Sequence, residues 1–244
     1  MIIYKLRKNI LKPLKYQLKA LIKKMPSISI NLGNNKDSIV NKWYLVLNKY
    51  IPILTFTTNK KIAVACLPIK DFNNLEDYLN TVKGKNSADY FSRRAIKKNY
   101  LFNQIDRNNF IDPIFEINTS SEIRQKKKMS LEYSTKIMEY INEEFNEYYG
   151  VFTSDNKLVA YADVAFLNEA AFIYIILGHK KFLDDGIMYF LITSIVNKSI
   201  LYKSSKYPSL KYIIYDSFLT NSDGLTLFKK RFGFKPYKVK WIVN

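Results

Sequence analysis

FIYIILGHKKFLDDGIMYFLI, residues 172–192, joins two apolar runs across a charged turn. The first run is short and β-branched, and its composition reads as a strand buried on both faces. The second reads as a helix, and Gly186 stands at the junction. A glycine there lets the backbone approach a ligand closely. The unpaired N–H groups and positive dipole end of a helix start attract phosphate. Asp184 and Asp185 argue the other way, because an acid at a helix start caps the helix itself and repels a diphosphate. On this turn alone, Asp185 as an N-cap is the simpler reading. The neighbouring Lys180 and Lys181 keep an anion site open.

Before this stretch, VFTSDNKLVAYADVAFL reads as strand, turn and strand, with the turn at Asp155-Asn156. After it come a strand, KYIIYDSFL, a short helix, GLTLFKKRFG, ended by Gly233, and a last strand, FKPYKVKWIVN. Upstream, SLEYSTKIMEYINEEFNEYYG has helical apolar spacing at Leu131, Ile137, Tyr140, Ile141 and Phe145 and is expected to be one long helix closed by Gly150. NNFIDPIFEINTSS is expected to be a helix starting near Asp112-Pro113, and YLFNQID a short strand. Residues 74–98 read as helical, with a break at Gly84 and a cap at Asn86 or Ser87. WYLVL, IPILTFTT and KIAVACLPI read as two or three strands.

The chain has 244 residues and is 48% apolar, enough for a large core. Its net charge of +18 calls for an anionic partner or surface. Residues 1–36 hold nine Lys or Arg and no acid. Within them Ile3, Leu6, Ile10, Leu14, Leu18, Leu21 and Met25 recur at spacings of three or four, the pattern of a basic amphipathic helix. Residues 3–25 therefore read as a segment for an anionic membrane face; packing on the chain's own domain and RNA binding are the alternatives. No run of 18 apolar residues exists and no signal-peptide pattern opens the chain. The expected location is cytoplasmic, peripheral on the inner membrane face if that segment binds lipid. Single cysteine and histidine residues, Cys66 and His179, leave no disulfide and no His/Cys metal cluster, so no metal is expected.

From about residue 98 to 244, the element order resembles the GNAT superfamily of acyl-CoA-dependent acyltransferases. Two stretches carry the resemblance. IILGHKKFLDDGIMYFLI is similar to that family's strand, phosphate turn and helix, and FKKRFGFKPY to its basic residue before Gly-Phe at a helix end. The resemblance implies a mixed, mostly antiparallel α/β sheet flanked by helices. The expected organisation is a basic extension at 1–36, a strand and helix region at 37–97 packed on the main domain, and an acyltransferase domain at 98–244. Departures are plain. Aligned on Gly186, the family's first Gln or Arg falls on Leu183, and its last small residue on Met188. Where many members carry a tyrosine acid, this chain has Lys229, beside Phe228.

The resemblance further implies an acetyl-CoA or other acyl-CoA donor held near Ile176, Leu177, Gly178, Lys180, Lys181, Gly186, Ile187 and Lys229, with a backbone N–H of 176–178 as oxyanion donor. His179, the only histidine, is a candidate base, as is Asp216 at the end of KYIIYDS. Asp163, costly to bury unpaired among apolar residues, is a third catalytic candidate. Glu116, Asn118, Arg124 and Gln125 in EINTSSEIRQ are candidates to line an acceptor pocket, with Arg124 suited to an acidic sugar or phosphate. The expected activity is direct acyl transfer to an amine or hydroxyl of a small-molecule or lipid-linked acceptor, such as an envelope or polysaccharide precursor. Two alternatives stand: an aminoacyl-tRNA-dependent transferase of related fold, and a non-catalytic module binding nucleic acid or a membrane surface.

Overall fold

The computed structural model describes residues 24–49, 60–84, 86–124, 127–218 and 223–244. The segment expected over 3–25 lies outside the described residues except for Lys24 and Met25; Gln125 and IPILTFTT lie outside them too.

Eight strands build one sheet in the order β1 (Ser27–Asn31), β10 (Lys235–Ile242), β2 (Val64–Pro68), β9 (Tyr212–Ser217), β8 (Ala170–Gly178), β7 (Leu158–Leu167), β6 (Asn146–Phe152) and β3 (Leu101–Gln104). The β1–β10 and β8–β9 pairs run parallel and the rest antiparallel, as expected for a mixed, mostly antiparallel sheet. Strands from both ends of the chain are interleaved: β2 is hydrogen-bonded between β9 and β10. A two-residue ladder, β4 (Ile123–Arg124) with β5 (Lys127–Lys128), stands apart.

The helices are α1 (Ser38–Asn48), α2 (Leu75–Thr81), α3 (Ala88–Lys97), α4 (Ile111–Thr119), α5 (Leu131–Ser134), α6 (Ile187–Lys203) and α7 (Asp223–Arg231). On one face of the sheet, Tyr78 of α2, Ala95 of α3 and Leu191 and Ile195 of α6 pack on Ala162, Val164, Ile173 and Ile213. On the other face, Val40 and Leu47 of α1 pack on Val64, Phe172, Ile214 and Trp241. Ile114 and Ile117 of α4 pack on Tyr161 and Leu177 of that same side. Burying each such large side chain stabilises by about 1.5–3 kcal/mol, so both layers are firmly fixed.

Two expectations fail, each for a physical reason. WYLVL, expected as a strand, lies within α1. Asp37 caps it by accepting from the N–H groups of Ile39 (2.9 Å) and Val40 (3.3 Å). Val40, Trp43, Tyr44 and Leu47, at spacings of three, one and three, then face the sheet together. The helical stripe outweighs the β-branched composition. The long helix expected from 130 and closed by Gly150 is only one turn, α5, and NEYYG belongs to β6. The rest, up to β6, is irregular backbone with bends and a turn. The Asn108 side chain takes both backbone groups of Tyr140, at 2.7 and 3.0 Å, and Arg107 donates to the Ile141 carbonyl at 2.9 Å. These bonds replace helical ones, and Leu131 and Ile141 remain over 80% exposed, so no apolar helix face is buried.

Candidate active site

β8 and β9 pair only from Ala170–Tyr212 to Phe172–Ile214 and then part. Two local features accompany the parting. β8 carries an extra residue, Tyr174, where its register with β7 jumps from Val164–Ile173 to Asp163–Ile175. In β9, the penultimate residue Asp216 has a φ of 50°, in the left-handed region that few non-glycine residues adopt. The expectation that β8 is buried on both faces holds for Ala170–Ile173, whereas Tyr174 is exposed and Ile175 and Ile176 are half-buried.

The phase of β8 is set by the His179 N–H, which bonds the Val159 carbonyl of β7 at 2.8 Å. Backbone groups alternate sides along a strand, so those of Gly178 and Ile176 face the gap. The Gly178 carbonyl is held there by Arg124 Nη1 at 2.8 Å. The Ile176 N–H, on the same side, faces the opening left by β9.

Two cavities meet at this gap. One, about 520 Å³, opens on the α1 side and is walled by Trp43, Phe172, Tyr174, Tyr133 and Trp241, with Lys60, Asp216 and Lys229. The other, about 540 Å³, lies toward α6 and α7, between Gly178, Lys180, Leu183, Met188 and Phe228. Arg124, Ile176, Leu177, Tyr215 and Leu225 line both. The two cavities therefore form one passage through the plane of the sheet.

Lys229 is the most unusual group in the passage. It is 1% exposed, its ammonium donates to the Ser217 carbonyl at 2.5 Å, and it lies 4.6 Å from the centre of the Tyr215 ring. Burial pulls its pKa down to about 8. Arg124 bridges α4 and β8, donating to the Ile117 carbonyl (2.8 Å) and Ser120 Oγ (3.0 Å) through Nη2. Its Nε is buried without a partner among the described residues, and burial lowers its pKa. Asp216 pairs with Lys60 at the rim of the α1-side cavity.

The passage thus gathers Ile176, Leu177, Gly178, Lys180, Arg124, Asp216 and Lys229 from the residues singled out in sequence. The others sit elsewhere. His179 caps the 3-10 turn Lys180–Asp185, its Nδ1 accepting from the Lys181 N–H at 3.2 Å, and its Nε2 lies 3.4 Å from Glu116. Glu116 is also bound by Lys157 at 2.7 Å, which holds its pKa low. Asn118 accepts from the Tyr161 hydroxyl at 2.7 Å. Lys181 lies 5.6 Å from the centre of the Phe182 ring. Asp163 lines neither cavity: Arg107 Nη1 donates to it at 2.8 Å, and burial pushes its carboxyl up to about 6 against the pull of that guanidinium. Trp43, Tyr133, Tyr174 and Tyr215 line the passage and were not singled out. Tyr215 neighbours Asp216 in one strand, whereas Trp43 was hidden by the misread helix.

The turn before α6 resolves differently from either sequence alternative. Asp185 does not cap α6. It accepts from the Tyr100 hydroxyl at 2.6 Å and pairs with Lys98, and the cap position is Gly186, with φ 85° and no capping side chain. A Cβ on Gly186 would collide with the Phe91 carbonyl oxygen of α3. The glycine is required by that backbone approach, and the Asp185 carboxylate lies next to the start of α6. Ile187 is fully buried behind them.

No family model and no curated protein matches the chain. Among solved structures it is similar to FemX, with a TM-score of 0.51 and 11% identity over 72% of this chain and 59% of that one. A tandem GNAT protein from the clavulanic acid biosynthesis pathway aligns with TM-score 0.43 and 13% identity, over 72% and 50% of the two chains. L-PGS from Bacillus licheniformis aligns with TM-score 0.42 and 12% identity, over 71% and 57%. The chain thus spans less than two thirds of these proteins. Together with the parted parallel strands, the likeness gives the class: a divergent GNAT-like α/β fold.

Proposed function

We propose that this protein is an acyltransferase that moves an acyl group through the passage between β8 and β9. The observation that carries the reading is the meeting of two cavities at a gap lined by an open strand edge and a buried lysine. The cavity beside Met188, Leu183 and Phe228 is lined mostly by apolar side chains, suited to the pantetheine arm of an acyl thioester. The α1-side cavity receives the acceptor amine or hydroxyl.

Attack of the acceptor on the thioester carbonyl generates a tetrahedral oxyanion, which the Ile176 N–H is oriented to bind. The Lys229 ammonium supplies positive charge beside it and a proton for the departing thiolate. Asp216, at the acceptor rim, is placed to take the proton of an incoming ammonium. No pairing of nucleophile and base lines the passage among the described residues, which favours direct attack over a covalent enzyme intermediate. Arg124 suits an acceptor bearing a carboxylate or phosphate, as an envelope or polysaccharide precursor would. Among the described residues no helix is long and apolar enough to cross a membrane, and no carboxylate, His or Cys cluster could hold a metal ion. Residues 3–25 remain our candidate for contact with an anionic membrane face.

An acyl-CoA is the simplest donor. Its thioester arm suits the crevice, whereas the Asp185 carboxylate beside the turn at Gly186 disfavours its diphosphate. That misfit favours a second reading, an aminoacyl-tRNA donor. S-acetyl pantetheine, which lacks the nucleotide, tests the thioester reading. It should raise the melting temperature at millimolar concentration and acylate an amine or hydroxyl acceptor. Absence of both effects would sink the thioester reading and leave the aminoacyl ester. Acceptor binding has its own reporter: the chain's two tryptophans, Trp43 and Trp241, both line the α1-side cavity, so their fluorescence follows its occupancy.

A further inference from the structure

If the turn before α6 is closed to phosphate, a nucleotide-bearing donor needs another anion site. α3 supplies one beside it. Tyr90, Arg93, Arg94, Lys97 and Lys98 enclose a surface cleft of about 540 Å³. Two of the four cations are neutralised: Arg93 by Asp89, one turn back, and Lys98 by Asp185 of the turn before α6. Arg94 and Lys97 have no ion pair among the described residues. Tyr90, Arg94 and Lys97 stand at i, i+4 and i+7, so they form one stripe on the same helix face. Tyr90 is 52% exposed, so its side chain is available beside these two cations.

The cleft borders the donor turn directly. Lys98 reaches from its wall to Asp185, and the Arg94 charge helps hold the Asp185 carboxyl low. On the other side of α3, Phe91 stacks on Tyr189 of α6 at 4.5 Å. The Arg231 guanidinium lies 5.2 Å from the Phe91 ring centre and donates to the Tyr189 hydroxyl at 2.6 Å. The start of α6 is therefore fixed against α3 and α7, and the excess positive charge lies outside that contact.

We propose that the cleft on α3 binds the phosphate groups of the donor's nucleotide, in place of the α6 N-terminus. The Arg94 fork and the Lys97 ammonium take the phosphoryl oxygens, and the exposed Tyr90 face takes the base by stacking. This rests on the acyl-transfer reading and adds where its donor is anchored.

Adenosine 3′,5′-bisphosphate is the probe, titrated calorimetrically at two salt concentrations. The wild-type chain should bind it, more weakly as salt rises. The double reversal Arg94→Glu/Lys97→Glu should weaken binding at least tenfold, while the fold stays intact by circular dichroism and the melting temperature falls only modestly, since both side chains are exposed in the last turn of α3. Arg94→Lys/Lys97→Arg should restore most of the affinity. A control reversal on the other side of the sheet, Lys36→Glu/Lys49→Glu, changes net charge equally and should leave affinity within about twofold. No binding by the wild type, or equal losses from the two reversals, would overturn the proposal. Two further arms separate the sources: CoA, and a short RNA hairpin with a single-stranded 3′ end. Sensitivity of either to the Arg94/Lys97 reversal supports the site and identifies the donor; insensitivity of both refutes it. Transfer from S-acetyl pantetheine by the wild-type chain judges the underlying reading separately.

Discussion

Lys229, on helix α7, and Asp163, on strand β7, are each 1% exposed, and each bears a charge that water would otherwise hold. Their surroundings differ. Asp163 is in contact with Arg107, whose guanidinium is sandwiched at 3.8 and 4.4 Å from the ring centres of Tyr148 and Tyr140. Lys229 has a carbonyl, an aromatic ring and a cavity, and no carboxylate within ion-pair distance among the described residues. A buried charge with a charged partner is explained by packing. A buried charge that lines a passage and lacks a charged partner is a candidate for a functional role. The contrast separates a pair that also anchors the Ile141 backbone from a lysine that, in the proposed mechanism, meets an anion.

The largest expected effect breaks the first half of the contrast. Arg107→Met leaves the Asp163 carboxylate without its partner and frees the Ile141 carbonyl. It should cost about 3–5 kcal/mol in denaturant unfolding. A loss under about 1 kcal/mol would show that the pair contributes little.

The pH dependence of stability sharpens the contrast, because the two groups act with opposite sign. The Asp163 carboxyl is raised from 3.8 to about 6 in the folded chain, so the folded state binds the extra proton between those values. Its contribution makes stability fall as pH rises from about 4 to 6. The Lys229 ammonium is lowered from 10.5 to about 8, so the unfolded state holds the extra proton there. Its contribution makes stability rise from about pH 8 to 10.5. At about 1.4 kcal/mol per pKa unit, each is on the order of 3 kcal/mol. Subtracting the profile of Asp163→Asn should isolate the acid slope, and that of Lys229→Met the alkaline one. A Lys229→Met profile that keeps the alkaline rise would mean that the lysine is not desolvated.

A smaller effect is expected at the turn. Gly186→Ala must push α3 away from α6 and hold alanine at positive φ, which should cost about 1–3 kcal/mol. Thermal unfolding measures it; an unchanged melting temperature would mean that the approach of Phe91 is not tight.

The sheet was legible in sequence because its strands are short, β-branched and punctuated by turn residues: the pair around Asp155-Asn156, the strand ending at Gly178 and the last strand from Lys235 all stand where the pattern put them. The helix–strand confusion at WYLVL and the absent long helix share one cause. Local pattern cannot show which apolar face will find a partner. α1 found the sheet, whereas the 130–145 segment was captured by Asn108 and Arg107 through its backbone. The site was half legible for a related reason. Lys229 and the Ile176–Gly178 edge follow from the motif alignment, but the aromatic wall of Trp43, Tyr133 and Tyr174 comes from three distant segments. Asp185 showed that the turn was anomalous; that its partners would be Lys98 and Tyr100 has no local signal, because they lie 87 and 85 residues away.

Single-turnover transfer from S-acetyl pantetheine, followed from pH 6 to 10 in the wild type and in Lys229→Met, tests the central claim most directly. If the Lys229 ammonium stabilises the transition state, the wild-type rate declines as pH rises through about 8. The variant, with folding intact, should be slower by about 10²–10³-fold at neutral pH and lack that decline. A variant with wild-type rate and the same alkaline decline would contradict the account and return Lys229 to a packing role.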